Sequence, residues 1–257
     1  MAESGIEIIE QRLPELKREL AINLVIAQAE NVSEGKGIMQ GDFGRLRRAG
    51  IDFCTGGNHT LAREEIIPQL NDPNQPVVRP ANYPTGTPGL GAKYVQSPAG
   101  KVLVVSLLGQ IVGKDASKPV DNPLHVIDDI LKREADVPKV ATVVNLHGDF
   151  SSEKVVIGHY LDGRVSMVVG DHWHIPTADA RVLPGGTAHI TDVGMCGVLD
   201  SSLGVAYDSI MYRWRDGTPT RNVMETKGPR QINGLLADID PQTGLATSAE
   251  LLRRIYE

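Results

Sequence analysis

Aromatic residues make up only 4% of this 257-residue chain, so its core must be built from Val, Ile, Leu and Ala. Cysteine is nearly absent. Cys54 and Cys196 lie too far apart for any thiolate metal motif and read as small buried residues in a reducing compartment. Long apolar runs are missing too, and nothing approaches the roughly 18 residues needed to cross a bilayer. The opening Met1-Ala2-Glu3-Ser4-Gly5 has neither the basic nor the apolar region of a signal peptide, so the expected location is cytoplasmic. The net charge of -6 argues against a nonspecific nucleic-acid binder, which must offset phosphate charge with basic residues. It leaves room for a small phosphate ester held through metal ions.

What is present reads as one α/β domain over residues 1–257, with no repeat, low-complexity tract or linker. Residues 6–20 have the spacing of an amphipathic helix, interrupted or bent at Pro14. Leu24–Ala27 and Ile51–Thr55 are short apolar strands around a helix over Ile38–Ala49 that Gly50 closes. That alternation is a βαβ rhythm. Residues 71–100, rich in Pro and Gly, read as loops around short strands. Val102–Leu108 and Val140–Leu146 are the strongest later strands, with a helix at 123–134 between them. Val165–Val169, Ala188–Thr191 and Ile232–Asp238 complete the expectation. The early part looks parallel and the late part more antiparallel, as in two sheets packed within one domain.

Plausible metal ligands concentrate in four short segments, each placed after an expected strand: Ala29-Glu30-Asn31, Gly56-Gly57-Asn58-His59, Leu146-His147-Gly148-Asp149 and Gly170-Asp171-His172-Trp173-His174. Strand C-termini of an open α/β sheet meet at one crevice, so these segments can converge. Glu can bridge two cations, Asn offers a neutral carbonyl oxygen, and imidazoles suit Mn, Fe or Zn. Singly, an Asn-His pair is more often a turn, and a buried Glu usually has a structural partner. The His-X-His pair and the ordered set of four segments carry the inference.

Glu-Asn, Gly-Asn-His, strand-His and Gly-X-His-X-His, in that order, resemble the calcineurin-like metallophosphoesterases. The finer likeness is to the YmdB-like branch, whose characterised members are 2′,3′-cyclic-nucleotide phosphodiesterases. It runs through AENVSEGKGI, GGNHTLAREEI, VVRPANYPTGTPG, the stretch Ser151–Met195 and the late INGLLADID. The resemblance implies a four-layer α/β/β/α sandwich and hydrolysis of a phosphodiester by metal-activated hydroxide at a dinuclear centre. It implies two divalent transition metal ions, Fe or Mn ahead of Zn, with one site weaker. Glu30 would bridge the metals; Asn58, His147 and His172 would complete one site, and Asn31 and His174 would serve the other. His59 would act on the phosphate as the catalytic residue. Expected partners are a small phosphodiester and further copies of the chain, with no membrane and no strong nucleic-acid binding.

Some positions depart from that pattern. Thr60-Leu61-Ala62 follow His59 where relatives carry a Trp and an acidic residue. Asp149 stands for Glu, Asp171 and Trp173 replace small hydroxyl residues, and His189 stands for Tyr. His125, His159 and His189 read as structural or surface histidines. Trp173 has two readings, a wall of the site or a packing residue. Relatives open with an apolar strand ending in Gly-Asp, the Asp being a metal ligand, whereas residues 1–41 contain no Asp. The fold is therefore expected to lack its first strand, as a shortened chain would. The rival class is a metal- or nucleotide-binding regulator with little turnover for want of that Asp. A metal-dependent hydrolase of another ester is a third reading.

Overall fold

The computed structural model describes all 257 residues. Helix α1 (Ala2–Glu19) buries Ile6, Ile9, Leu13 and Leu16 along one face, the helical spacing visible in the sequence. It begins four residues earlier than that spacing suggests. Pro14 does not interrupt it, because Pro14 and Glu10 lie on the exposed side, where water can serve the Glu10 carbonyl that the missing N–H leaves unpaired. Gly5 is required: a Cβ there would stand 2.7 Å from the Cys196 carbonyl oxygen.

Strand β1 (Ile26–Gln28) and strand β2 (Phe53–Thr55) pair in parallel around helix α2 (Gln40–Arg48), so the expected βαβ unit is present. After the short helix α3 (Ile67–Asn71), strand β3 (Ala92–Ser97) pairs antiparallel with β4 (Gly100–Leu108). Helix α4 (Pro123–Arg133), capped by the Asn122 side chain, leads to β5 (Ala141–His147). Helix α5 (Ser151–Tyr160) then leads to β6 (Met167–Asp171). Strands β7 (Arg181–Val182) and β8 (Ala188–Ile190) finish a six-stranded sheet of order β3-β4-β5-β6-β8-β7, parallel from β4 to β8. Strand β9 (Gly197–Val198), helix α6 (Tyr207–Asp216), and the hairpin of β10 (Arg230–Ile239) and β11 (Ala246–Tyr256) follow.

Strand β6 lies two residues later than expected, because its parallel ladder with β5 runs on from Val143↔Met167 to His147↔Asp171. Asp171 therefore belongs to the strand end rather than to the loop beyond it.

Alternation along β4 and β5 divides the core. Leu103, Val105, Leu107, Val144 and Leu146 pack against Ile127, Ile130 and Ile157 of α4 and α5. Val102, Val104 and Val143 face the other way, onto Phe53 and Val78. A third cluster joins α1 and α2 to Ala29, Cys54 and Ile232. These cores separate the four layers of an α/β/β/α sandwich.

The second sheet comes in two pieces, β1-β2 and β9-β10-β11. Between β1 and β10 lies a cavity of about 510 Å³ with mostly apolar walls that reaches His172 and His174. The β1 ladder uses the Val25 carbonyl and the Ala29 amide on its β2 side, so Ile26 and Gln28 turn their peptide groups away from β2. No strand of this chain lies between β1 and β10.

Candidate metal centre

The parallel strands place the four sequence segments at one rim. Gln28 ends β1 and Thr55 ends β2, with Glu30 and Gly57-Asn58-His59 just beyond; His147 ends β5 and Asp171 ends β6. The loop after β6 is forced into an unusual shape, with His172 at φ 111° and His174 at φ 65°. Non-glycine residues there cost about 1–3 kcal/mol each and persist only where surrounding contacts hold them. The hold comes from Lys154, fully buried, whose Nζ donates to the Asp171 carbonyl at 2.6 Å and to Asp192 Oδ2 at 3.0 Å. Asp192 Oδ2 also accepts from the Trp173 amide at 2.8 Å.

Four potential donors crowd one point. His147 Nε2 lies 2.8 Å from Asn58 Oδ1, 2.9 Å from His172 Nδ1 and 3.2 Å from Glu30 Oε1. The donor atoms of Glu30, His147 and His172 all lie within 4.8 Å of one another. An imidazole nitrogen carries one proton at most and cannot satisfy three neighbours with lone pairs; a cation among them can. The residues present thus fit a divalent metal with mixed N and O ligands. Gly57 makes the approach possible, since a Cβ on it would stand 2.5 Å from both Glu30 Oε2 and the His147 ring.

Asn31 approaches the same Glu30 oxygen as His147, and His174 stands beyond Asn31. Asn31 Nδ2 is 3.3 Å from Glu30 Oε1 and 3.2 Å from His174 Nε2, and a half-turn of the amide would present its oxygen instead. His59 donates its backbone N–H to Glu30 Oε2 at 2.7 Å, while its half-buried ring faces the rim. All seven residues singled out from the sequence therefore meet in one region. His125 and His159 are exposed, and His189 is buried with Nδ1 at 3.0 Å from the Val168 carbonyl. Trp173 lies with its ring against the Lys154 Nζ, 4.3 Å from the centroid, and donates Nε1–H to the Asp149 carbonyl. That is the packing reading.

Sequence reasoning missed Asp115. It lies on the 109–121 loop, accepts from Asn58 Nδ2 at 2.7 Å, and stands 3.7 Å from His59 Nδ1. A single Asp among loop residues carries no signal in sequence.

Burial would raise the Glu30 carboxyl, but the charge and hydrogen bond of His147 and the His59 amide outweigh it and hold Glu30 well below the usual range. Burial likewise opposes protonation of His147, yet Glu30 and Asp171 together push it well above the usual imidazole range. Burial lowers His172 and takes His174 down to about 4. Without metal, the proton at the centre therefore resides on His147, and a cation bound there would have to displace it. The raised group keeps its proton at neutral pH, so cation uptake at this point should release it and affinity should rise with pH. The slope should approach ~10-fold per pH unit for one proton. Calorimetry of Mn²⁺ binding in buffers of different ionisation enthalpy measures the proton released, and a pH-independent affinity would contradict this electrostatic picture.

The description "YmdB-like protein" fits residues 1–252 of the chain as a family match. The 2′,3′-cyclic-nucleotide 2′-phosphodiesterase of Bacillus subtilis (strain 168) is 37% identical over 248 residues, spanning 96% of this chain and 90% of that protein. A hypothetical protein from Thermus thermophilus, known as a crystal structure, superposes with TM-score 0.88 at 33% identity, covering 100% of this chain and 96% of that one. A crystal structure of a novel phosphatase from Mycoplasma pneumoniae superposes with TM-score 0.90 at 29% identity, covering 100% and 90%. The hydrolase class expected from the sequence agrees with these names. No helix is long and apolar enough to cross a membrane.

Proposed function

We propose a function for a chain that belongs to the YmdB-like protein family: hydrolysis of a phosphodiester, a 2′,3′-cyclic nucleotide, at a centre for two divalent transition metal ions. The observation that carries this reading is the convergence of Glu30, Asn58, His147 and His172 on one point, with Asn31 against the same Glu30 oxygen and His174 beside Asn31. Glu30, Asn58, His147 and His172 would hold one metal; Asn31 and His174 would hold the other, sharing Glu30. When bound, the metals supply Lewis acidity toward the phosphoryl oxygens and lower the pKa of a water.

The protein's own groups orient and exclude. Glu30 is buried and fixed by the His59 amide, so its carboxylate keeps one position between the two halves. Tyr83 donates its hydroxyl to the Gly57 carbonyl at 3.0 Å and so steadies the loop carrying Asn58 and His59. His59 faces the rim, where it would donate a hydrogen bond to the phosphate or a proton to the departing sugar oxygen.

The test is product analysis. Metal-loaded protein given 2′,3′-cyclic AMP should open the 2′ ester and leave the phosphate on the 3′ oxygen, as the name of the Bacillus relative implies. Hydrolysis of an aryl phosphodiester without any attack on the cyclic nucleotide would move the substrate elsewhere among phosphodiesters. Metal binding with turnover of neither would favour the regulator.

A further inference from the structure

Behind the two central imidazoles stand two carboxylates that the metal reading does not use as ligands. His147 turns Nε2 into the centre, and its Nδ1 lies 2.5 Å from Asp171 Oδ1. His172 has the opposite polarity: Nδ1 faces the centre, and Nε2 lies 3.3 Å from Asp149 Oδ1. Both carboxylates are anchored. Asp171 Oδ2 accepts from buried Asn145 at 2.7 Å, and Asp149 Oδ2 accepts from the Val112 amide at 2.7 Å. His174 differs, since its Nδ1 faces only the Leu203 carbonyl oxygen at 3.3 Å.

A neutral imidazole has one N–H and one lone pair, and whatever accepts the N–H decides where the lone pair points. Asp171 accepts a hydrogen bond from the Nδ1–H of His147, which keeps the proton on that nitrogen and leaves the lone pair on Nε2. The Asp149 carboxylate, 3.3 Å from His172 Nε2, favours the N–H at that nitrogen by its charge and leaves the lone pair on Nδ1. Both lone pairs then point at the same centre, although the two rings use different nitrogens. Gln28 Nε2 also lies 3.0 Å from His147 Nδ1, but the Gln28 oxygen is occupied by the Glu30 amide. Gln28 therefore presents a donor there and cannot hold that proton.

Resting on the metal reading above, we infer that Asp171 and Asp149 are positioning residues that make the His147/His172 half of the centre the tight one. Glu30 is the one carboxylate among the direct ligands. Two further negative charges reach the metal indirectly, through imidazoles that the carboxylates orient and make more basic. The Asn31/His174 half has no such backing and binds more weakly.

The experiment is calorimetric titration of metal-stripped protein with Mn²⁺. Wild type should show a tight and a weak event, and His174→Ala should lose the weak one and keep the tight one. Asp171→Asn, nearly isosteric but uncharged, should weaken the tight event about 10–100-fold. Asp149→Asn should weaken it less, because that contact is longer and its side chain is 21% exposed. The melting temperature of each metal-free variant separates this from a loss of fold, and Asp149→Glu should recover most of the affinity. If Asp171→Asn does not fold, Asp149→Asn decides the matter. Wild-type Mn²⁺ affinity in the folded Asn variants would overturn the inference alone. A wild-type protein that takes up no Mn²⁺ would overturn the metal reading and this inference with it.

Discussion

His172→Ala is expected to leave the protein with little metal in the half-site it shares with Glu30, Asn58 and His147, and with turnover at background. The loss should exceed the roughly 10–100-fold that follows when a group behind a ligand is removed, because a ligand itself is gone. The imidazole approaches His147 Nε2 to 2.9 Å from a loop residue at φ 111°. Alanine also leaves the fold's main anchors intact, since the loop is tied by Lys154, Asp192 and the Trp173 amide. Purified wild type should carry a transition metal, Mn or Fe ahead of Zn, because the ligands mix imidazole with oxygen and include no thiolate. Elemental analysis of wild type and variant prepared in parallel is the measurement. Equal metal in both would remove His172 from the centre.

The second large effect is expected from His59→Ala, with metal content unchanged. If His59 protonates the leaving oxygen, the chemical step should slow by about 10²–10⁴-fold on an alkyl or sugar leaving group. On an aryl ester, whose leaving group departs without a proton, the loss should be much smaller. Burial lowers the His59 pKa, opposed by the Glu30 carboxylate and more weakly by Asp115. A lowered imidazole holds its proton only at the acid side of its range, so the acid role should fade as pH rises through that pKa. Single-turnover rates on both classes of ester across pH separate the roles. Equal losses on aryl and sugar esters would mean that His59 steadies phosphate charge instead.

Much of the fold is legible locally. Val102–Leu108 is an aliphatic run broken only by Ser106, which is what a strand covered on both faces requires, and it lies inside the large sheet between β3 and β5. Helix α5 has no such local signal: Val155, Val156 and Ile157 are β-branched and Gly158 weakens a helix, so local preference is poor there. Packing overrides it. Ile157 fills the core beneath α5, and Gly158 lets the His189 ring come close, where a Cβ would meet it at 2.8 Å. Strand β11 is equally silent in the sequence. Most of its residues are exposed or half-buried, Glu250, Arg253 and Arg254 are charged, and it pairs with β10 over its length.

The metal-ligand candidates were decided by the sequence alone, because chemistry restricts which side chains can bind a cation. Strand ends restrict where those side chains gather, so Glu30, Asn58, His147 and His172 could be named before their distances were known. Three matters waited for tertiary structure. Asp115 reaches Asn58 and His59 from a loop more than fifty positions away. Asp171 and Asp149 stand behind opposite nitrogens of two different rings. The second sheet divides around an apolar cavity that ends at the site. Each depends on strand register and loop path, which long-range packing sets, and no local run of residues encodes either.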